Sequence, residues 1–257
     1  MKANVFVTGS AAGIGRQTAE MLVAAGHRVV LHARNGERAA ATRAAVPGAA
    51  AVVIGDLSSL AGTRALAADA AGHGPFDAVI HNAGIYERDA ARVVTGDGLE
   101  RTFQVNVLAP YVLTASIPLP RRLVYLTSDM AASGHIVVDD LQREQRPWSG
   151  TGAYCDSKLA DLVLALAMAR RYPRVVATAV IPGWVRTRMG GPGAPLDLAT
   201  GAATQVWLAG SDEPGALRSG RLLRHMEERP VPAGAADPAV QDALIAACEH
   251  LGGVALP

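Results

Sequence analysis

Two side chains at helical spacing could carry out proton chemistry. Tyr154 and Lys158 are four residues apart in a segment whose pattern predicts a helix, so their side chains would share one helix face. A tyrosine phenol ordinarily ionises at about pH 10, and a neighbouring ammonium group favours the phenolate and brings ionisation closer to working pH. The pair could therefore serve as a general acid or base. For this spacing alone, an ordinary, partly exposed helix face is the alternative.

A glycine-rich turn close to the start of the chain could hold a phosphate. Thr8 ends the first β-branched run, and the sequence Thr-Gly-Ser-Ala-Ala-Gly-Ile-Gly places glycines at 9, 13 and 15. Glycines in a strand-to-helix turn allow positive φ and let the backbone approach a pyrophosphate at the positive end of the following helix. The position at the first strand–helix junction favours a dinucleotide site over an ordinary turn.

Short β-branched runs alternate with longer Ala- and Leu-rich segments, which predicts parallel strands joined by helices. We expect strands at Ala3–Thr8, Arg28–Ala33, Ala51–Ile54, Ala78–His81, Arg122–Thr127, Val175–Val180 and Arg221–Arg224. We expect helices at Ile14–Ala25, Ser58–Ala71, Gly98–Ser116, Ala153–Arg171, Leu198–Ala209 and Asp237–His250. This order predicts the α/β class, with a three-layer, doubly wound Rossmann fold and a parallel sheet of about seven strands.

The irregular segments indicate how the chain is organised. We expect a single domain over residues 1–257, with substrate loops near 132–152 and 183–197 because both follow strands at their carboxyl ends. The acidic and basic triplet 227–229 is expected in a solvated turn.

Composition argues against several classes of function. Lys and Arg number 24 against 23 Asp and Glu, a net charge of +1, so the basic excess typical of nucleic-acid binders is missing. Cys155 and Cys248 are too few and too far apart for a disulfide framework or a metal site. This cysteine count predicts a protein without a metal. The sequence shows no apolar leader and no convincing membrane span, which predicts a cytoplasmic protein.

The spacing Thr-Gly-xxx-Gly-Ile-Gly resembles the cofactor turn of the classical short-chain dehydrogenase/reductase family. Further family motifs follow in order along nearly the whole chain: Asp56-Leu57, then His81-Asn82-Ala83-Gly84 where the family usually has Asn-Asn-Ala-Gly, then Asn106, Ser128, Tyr154 with Lys158, Pro182-Gly183 and Thr187. The interval between Ser128 and Tyr154 is longer than usual and resembles the retinol-dehydrogenase-like and WW-domain-oxidoreductase-like branch.

The resemblance implies hydride transfer between a nicotinamide cofactor and a carbonyl or alcohol. It makes Tyr154 the general acid/base, and Lys158 the group that lowers the tyrosine pKa and holds the nicotinamide ribose. Ser128 would donate a hydrogen bond to the carbonyl oxygen. Thr127, the neighbouring hydroxyl, is the alternative candidate for this hydrogen bond. Side chains alternate along a strand, so only one of the two can face the cleft.

Asn106 is similar to the family residue that holds a relay water beside the lysine. The alternative for Asn106 is an amide that satisfies the backbone of a helix kinked near Pro110. Asp56 is expected to bind adenine with the Leu57 backbone alongside, although capping of the next helix is an alternative. The full set expected at the cofactor is Gly9, Ser10, Ala12, Gly13, Ile14, Gly15, Arg34, Asn35, Asp56, Leu57, Asn82, Ala83, Gly84, Tyr154, Lys158, Pro182, Gly183, Val185 and Thr187.

The end of the second predicted strand bears on the choice of cofactor. An NAD site usually has an acidic residue there, which binds the ribose 2′-hydroxyl and repels a 2′-phosphate. Here the strand ends His-Ala-Arg-Asn, with no carboxylate and with Arg34 able to grip a phosphate. This predicts NADP(H) in preference to NAD(H), with a solvated surface arginine as the alternative.

The branch resemblance favours a small to medium apolar aldehyde, ketone or alcohol as substrate. A redox-sensing regulator that binds NADP(H) without turnover is the alternative, although such sensors commonly lose the tyrosine or the lysine. An epimerase or dehydratase of the extended branch is disfavoured by the short tail after Pro230. Family members pair through the tyrosine-bearing helix, and the apolar run Leu159–Met168 is compatible with a homodimer. A monomer is the alternative.

Overall fold

The computed structural model describes residues 2–88 and 91–257. Its central sheet has eight strands in the order β3-β2-β1-β4-β5-β6-β7-β8. Their bounds are β1 Asn4–Val7, β2 Arg28–Ala33, β3 Ala51–Ile54, β4 Ala78–His81, β5 Arg122–Leu126, β6 Val176–Ile181, β7 Arg221–Arg224 and β8 Glu227–Arg229. The first seven pair in parallel, and β8 is antiparallel to β7. The predicted doubly wound fold is confirmed, with its switch point between β1 and β4.

The helices cover both faces of this sheet. Their bounds are α1 Gly13–Ala24, α2 Gly36–Ala45, α3 Leu60–Ala71, α4 Arg101–Phe103, α5 Ala109–Ser116, α6 Gly150–Arg171, α7 Leu198–Gly210, α8 Ala233–Ala236 and α9 Pro238–Gly252. One face is packed by aliphatic side chains under α3, α5 and α6, and the other by those under α1 and α7. Because each strand is covered on both sides, the strands read as continuous apolar runs.

Helix α2 and strand β8 were not predicted from the sequence, for the same physical reason. Helix α2 buries only Thr42, so it has no apolar stripe to reveal its period. Strand β8 is wholly exposed, and the solvated turn expected at residues 227–229 is wrong. Charged side chains suit such an edge strand, because they discourage pairing with another chain.

The segment predicted as one helix over 98–116 has a different internal geometry. Helix α4 begins at Arg101, where the Glu100 carboxylate accepts hydrogen bonds from the N–H groups of Thr102 and Phe103, both at 2.7 Å. Residues Gln104–Leu108 then form a π-helical turn before α5. This turn contains Asn106, and π turns inside helices often occur at functional sites.

Helix α6 is enclosed by its own chain. The run Leu159–Met168 is buried throughout, and α8 and α9 pack against α6. Polar contacts fix α9 there: Arg170 Nε donates to Gln241 Oε1 at 2.8 Å, and Arg171 Nη2 donates to Asp242 Oδ1 at 2.7 Å. The apolar run Leu159–Met168 is thus covered within the chain, and a homodimer stays a prediction.

Within the described ranges, no helix combines the length and the apolar character that a membrane crossing requires. A cytoplasmic location stays a prediction.

Candidate active site

The residues singled out in the sequence meet at the carboxyl edge of the sheet. The glycine turn follows β1, Asn82 follows β4, Ser128 follows β5 and Gly183 follows β6. Because these four strands are parallel neighbours, their ends open on one crevice. Helix α6 brings Tyr154 and Lys158 to the same crevice.

The glycine turn is pressed against the loop after β4. Gly9 and Gly13 have φ values of 64° and 58°. A Cβ atom on Gly9 would lie 2.8 Å from the Cα of Ala83, and one on Gly15 would lie 2.3 Å from Nδ2 of Asn82. Only glycine fits such a close approach at these two positions.

Hydrogen bonds from polar side chains fix the shape of this turn. Asn82 Nδ2 donates to the carbonyl of Thr8 at 2.8 Å, and Thr8 Oγ1 accepts from the N–H of Asn82 at 3.0 Å. The hydroxyl of Ser10 is fully buried and donates to the carbonyl of Val7 at 3.0 Å, so this part of Ser10 serves the turn itself. What Ser10 offers a cofactor is its backbone.

His32 also supports the turn, and sequence reasoning missed it. The N–H of Gly9 donates to His32 Nδ1 at 3.0 Å, and His32 Nε2 contacts the carbonyl of Gly55 at 2.8 Å. Burial lowers the pKa of His32, although the Gly55 carbonyl and Asp56 oppose the shift, so a neutral ring accepts at Nδ1. The available signal was a polar residue inside an otherwise apolar predicted strand.

Helix α1 begins without a side-chain cap. Its N-cap residue is Ala12, whose methyl side chain offers no acceptor to the first N–H groups of the helix. By contrast, side chains of Asn35, Ser59 and Ser149 cap α2, α3 and α6. The first N–H groups of α1 are therefore available at the positive end of the helix, as a pyrophosphate requires.

The adenosine end of the crevice holds the expected polar residues. Arg34 is exposed directly after β2, and Asn35 Oδ1 accepts from the N–H of Arg38 at 3.0 Å. Asp56 Oδ1 accepts from the N–H of Ser58 at 3.0 Å and from its hydroxyl at 2.7 Å. Asp56 thus orders the turn before α3, although the N-cap of that helix is Ser59.

The catalytic candidates Tyr154 and Ser128 lie together. The Ser128 side chain lies beside the Tyr154 phenol, whose ring is buried and stacks on Tyr86 with centroids 4.4 Å apart. Thr127 points elsewhere, because its hydroxyl donates to the carbonyl of Lys158 at 2.5 Å. The structure therefore places Ser128, and not Thr127, beside the tyrosine.

The electrostatic environment of Tyr154 is mixed. Burial raises the pKa of Tyr154, while the Lys158 charge and the Ser128 side chain lower it. The net shift in the free protein is upward. Lys158 thus acts in the expected direction but does not overcome burial.

The ammonium group of Lys158 has two protein partners. Nζ donates to the carbonyl of Leu126 and to Asp161 Oδ2, both at 2.8 Å. Burial lowers the pKa of Lys158, but the neighbouring Asp161 carboxylate and Tyr154 more than offset this, so the pKa is raised. Asp161 was not among the expected site residues. Its sequence signal is an acidic residue within an apolar run, three positions after the lysine.

Asn106 is fully buried between the loop after β4 and α6. Its Oδ1 accepts from the N–H of Ile85 at 2.8 Å, and its Nδ2 donates to the Ile85 carbonyl at 3.0 Å and to Ser157 Oγ at 2.9 Å. A Cβ atom on Gly84 would lie 3.3 Å from Lys158 Nζ and 3.4 Å from Asn106 Oδ1. The lysine and the asparagine therefore flank the Gly84 backbone.

Similarity to known proteins agrees with this geometry. A model of the short chain dehydrogenase family matches residues 3–194. Over 257 residues the chain is 40% identical to an uncharacterized oxidoreductase of Emericella nidulans, covering 98% of each. The chain belongs to the short-chain dehydrogenase family.

Two further relatives of this short-chain dehydrogenase carry more specific names. A Streptomyces protein named as a candidate daunorubicin C-13 ketoreductase is 35% identical over 226 residues, covering 80% of this chain and 77% of that protein. Human retinol dehydrogenase 13 is 33% identical over 200 residues, covering 72% and 60%. The resemblance to the retinol-dehydrogenase-like branch is thereby confirmed.

Solved structures share the fold. An uncharacterized protein of Mycobacterium paratuberculosis superposes with a TM-score of 0.84 at 27% identity, covering 99% of this chain and 95% of that one. A short-chain dehydrogenase of Burkholderia cenocepacia in complex with NADP gives 0.70 at 25% identity, covering 87% and 95%.

In this short-chain dehydrogenase, the loop after β6 lies over the crevice. Thr187 lies above the glycine turn, since its Cγ2 would be 3.5 Å from a Cβ on Gly13. Met189 Sδ lies 4.0 Å from the Tyr154 hydroxyl. Trp184 and Met189 are exposed, and Trp184 Nε1 donates to the carbonyl of Gly190 at 2.8 Å. Of the remaining expected residues, Val185 is buried and Pro182 and Gly183 begin the loop.

The middle of the 132–152 stretch lies on another side of α6. Arg143 Nε donates to Asp156 Oδ2 at 2.8 Å, and His135 N–H donates to Asp156 Oδ1 at 2.8 Å. Asp156 follows Tyr154 by two residues, so the two side chains project in nearly opposite directions. Ser128, which caps the 3₁₀ turn Asp129–Ser133 at the start of this stretch, lies beside the tyrosine. At the end of the stretch, Thr151 Oγ1 lies 3.1 Å from the hydroxyl of Tyr86, which stacks on Tyr154.

Proposed function

We propose that this short-chain dehydrogenase transfers a hydride between NADP(H) and a carbonyl or alcohol, with a small to medium apolar aldehyde, ketone or alcohol as substrate. The observation that carries the proposal is that Tyr154, with Ser128 beside it, and Lys158 lie together near an uncapped, glycine-lined helix N-terminus. One domain over residues 1–257 would provide the whole site.

The residues present fit a nicotinamide dinucleotide. The open N–H groups of α1 suit the pyrophosphate, and the close approach of Gly9 to Ala83 leaves a flat floor of small residues. When bound, the reduced cofactor supplies the hydride. Lys158 keeps one N–H for the ribose hydroxyls, because the other two are used by Leu126 and Asp161.

The proton chemistry belongs to the chain itself. In carbonyl reduction, the Tyr154 phenol gives its proton to the substrate oxygen, while the Ser128 hydroxyl donates a hydrogen bond to the same oxygen. In alcohol oxidation, the phenolate accepts that proton. The exposed side chain of Met189 beside Tyr154, with the exposed Trp184 in the same loop, favours an apolar substrate.

Removing the phenol hydroxyl tests this role. We expect Tyr154→Phe to lower kcat about 10³-fold, because general acid catalysis contributes on this order. The ring stack on Tyr86 needs no hydroxyl, so NADPH binding followed by fluorescence should persist. The assay is loss of NADPH absorbance against a panel of apolar aldehydes, ketones, quinones and sterols.

Tyr172→Phe is the matched control, because Tyr172 lies at the end of α6, where its hydroxyl donates to the Pro257 carbonyl. Equal turnover by Tyr154→Phe and wild type would contradict the catalytic role. NADPH binding without turnover on the whole panel would favour the regulator that binds the dinucleotide without reaction.

Arg34 tests the choice of cofactor. It is exposed directly after β2, at a strand end without a carboxylate, and the Burkholderia neighbour was crystallised with NADP. We expect Arg34→Ala to raise the KM for NADPH about tenfold and to leave that for NADH nearly unchanged, because only NADPH carries the 2′-phosphate. Arg43→Ala, in the last turn of α2, is the control. An unchanged preference in Arg34→Ala, or equal binding of NADH and NADPH by the wild type, would overturn the assignment.

A further inference from the structure

A buried carboxylate stands behind the candidate acid/base pair. Tyr154, Lys158 and Asp161 follow one another at spacings of four and three residues, so they share one face of α6. The side chains of Lys158 and Asp161 are 6% and 4% exposed, and Nζ lies 2.8 Å from Oδ2. This ion pair is therefore shielded from solvent.

The pair determines how much of the lysine charge reaches the tyrosine. Lys158 Nζ lies 5.9 Å from the centre of the Tyr154 ring. A bare ammonium at that distance in a buried site would strongly favour the phenolate. With a carboxylate in direct contact, part of the effect of the ammonium charge at the phenol is cancelled.

Apart from Lys158 and Asp161, the titratable groups that the structure describes around this cluster are two phenols, a thiol and one guanidinium. Tyr125 on β5 lies near both Asp161 and Cys248 of α9, and burial raises the pKa of Tyr125 and of Cys248, so both are neutral at pH 7. Tyr86, from the loop after β4, stacks on Tyr154 as a second phenol. The guanidinium of Arg88 lies over the Tyr86 ring, 5.5 Å from its centre.

We propose that Asp161 is a positioning residue that holds Lys158 and offsets part of its charge, so that Tyr154 stays a protonated phenol, the form that carbonyl reduction consumes, at neutral pH. This inference rests on the proposed function. It adds a residue that sets the pH dependence of each direction of the reaction.

The chemistry follows from which form of tyrosine each direction consumes. In reduction, the Tyr154 O–H bond breaks and an O–H bond forms on the substrate oxygen. The hydride from NADPH forms the new C–H bond, NADPH is oxidised to NADP⁺, and the phenolate regains a proton from solvent. Oxidation must begin from the phenolate. Burial raises the pKa of Tyr154 and Asp161 raises it further, which supports a phenol as the resting form.

The titration of Tyr154 can be read directly in the free protein. We would label the tyrosines with ¹³C at Cζ, assign Tyr154 by comparison with Tyr154→Phe, and follow its chemical shift with pH. In the wild type we expect a midpoint above the ordinary value for tyrosine. A wild-type midpoint below that ordinary value would overturn the proposal without any further variant.

The variant Asp161→Asn keeps the shape of the side chain and removes its charge. We expect the Tyr154 midpoint to fall by about one unit, because Lys158 then acts on the phenol without a counter-charge. The basic limb of the pH profile for alcohol oxidation should move by the same amount, with oxidation at pH 7 rising about tenfold. A purely structural role would lower stability and leave this limb in place.

Asp156→Asn is the matched control, because it removes another buried carboxylate of α6 on a side away from Tyr154. It should leave the Tyr154 midpoint unchanged. An unchanged midpoint in folded Asp161→Asn overturns the inference even if the enzyme is fully active. Failure of the proposed function appears elsewhere, as turnover that survives Tyr154→Phe.

Discussion

Two buried carboxylates near α6 meet opposite environments. Burial alone would raise the pKa of Asp140, but hydrogen bonds from the N–H groups of Glu144, Gln145 and Arg146 and from the Arg146 side chain hold it at about 2. Burial also raises the pKa of Asp161, to about 6, and there only Lys158 opposes it. Both side chains have little solvent exposure, but Asp161 lies deeper in the protein and has fewer donors around it.

The charge of Asp140 therefore serves the structure, whereas that of Asp161 is coupled to the candidate catalytic residues. Four donors fix Asp140 as an anion, and Arg146 also contacts Asp156, so the 132–152 stretch is pinned to α6. A single ammonium leaves Asp161 sensitive to any change in charge nearby. The shared lysine therefore couples Asp161 to the state of Tyr154, whereas Asp140 responds to little that happens in the crevice.

The largest effect of this contrast should be on stability. We expect Asp140→Ala to lower the free energy of unfolding by about 4 kcal/mol, because three backbone N–H groups and Arg146 lose a buried acceptor. The measurement is urea unfolding at pH 7. The turnover of the folded variant should stay close to that of the wild type, since Asp140 lies away from Tyr154.

The neighbouring Asp139 provides the control, because it is exposed and Asp139→Ala removes the same carboxylate from the same 3₁₀ turn. Its cost should stay below about 1 kcal/mol. Similar losses in the two variants would show that the hydrogen-bond count around Asp140 does not matter, and would remove the basis of the comparison.

Periodicity revealed those parts of the fold that bury an apolar face. Strands such as β1 and β5 are continuous apolar runs, so their positions follow from the pattern alone. Helix α2 and strand β8 bury almost nothing, and they left no such signal. The same limit applies to the dimer prediction, which stays a prediction, because apolar residues in Leu159–Met168 form the same pattern whether a partner or the chain's own α9 covers them.

The site was predictable where motifs carry it and not where partners come from distant segments. Tyr154, Lys158 and Ser128 were found by spacing and order. His32 and Asp161 were not, because a single polar residue in an apolar run indicates a partner without naming it. Their roles depend on Gly9 and Lys158, which only folding brings to them.

His81, a buried base, can be compared with these two buried acids. His81 is buried where the family usually has Asn, and its Nε2 contacts Thr114 Oγ1 at 2.9 Å. Among the described residues, its Nδ1 has no hydrogen-bond partner. Like Asp161 it has few partners, so burial controls its titration and lowers the pKa of His81 to about 3.

His81 should therefore make the fold acid-sensitive. Its pKa is lower in the folded state than the value of about 6.5 in the unfolded chain, so its contribution is present above pH 6.5 and is lost as pH falls towards 3. Between pH 7 and pH 4.5 this costs about 3 kcal/mol. We expect His81→Asn to remove that part of the pH dependence of unfolding, measured by urea titration at several pH values.

Thr114→Val separates titration from packing. It removes the hydroxyl that contacts His81 Nε2 and Tyr125 but keeps the imidazole buried. This variant should be less stable at every pH, by about 1 kcal/mol, and should retain the acid sensitivity. If His81→Asn instead kept the wild-type pH dependence, a different group would be taking up the proton. A buried group with few partners would then be no more responsive to pH than Asp140 with its four donors.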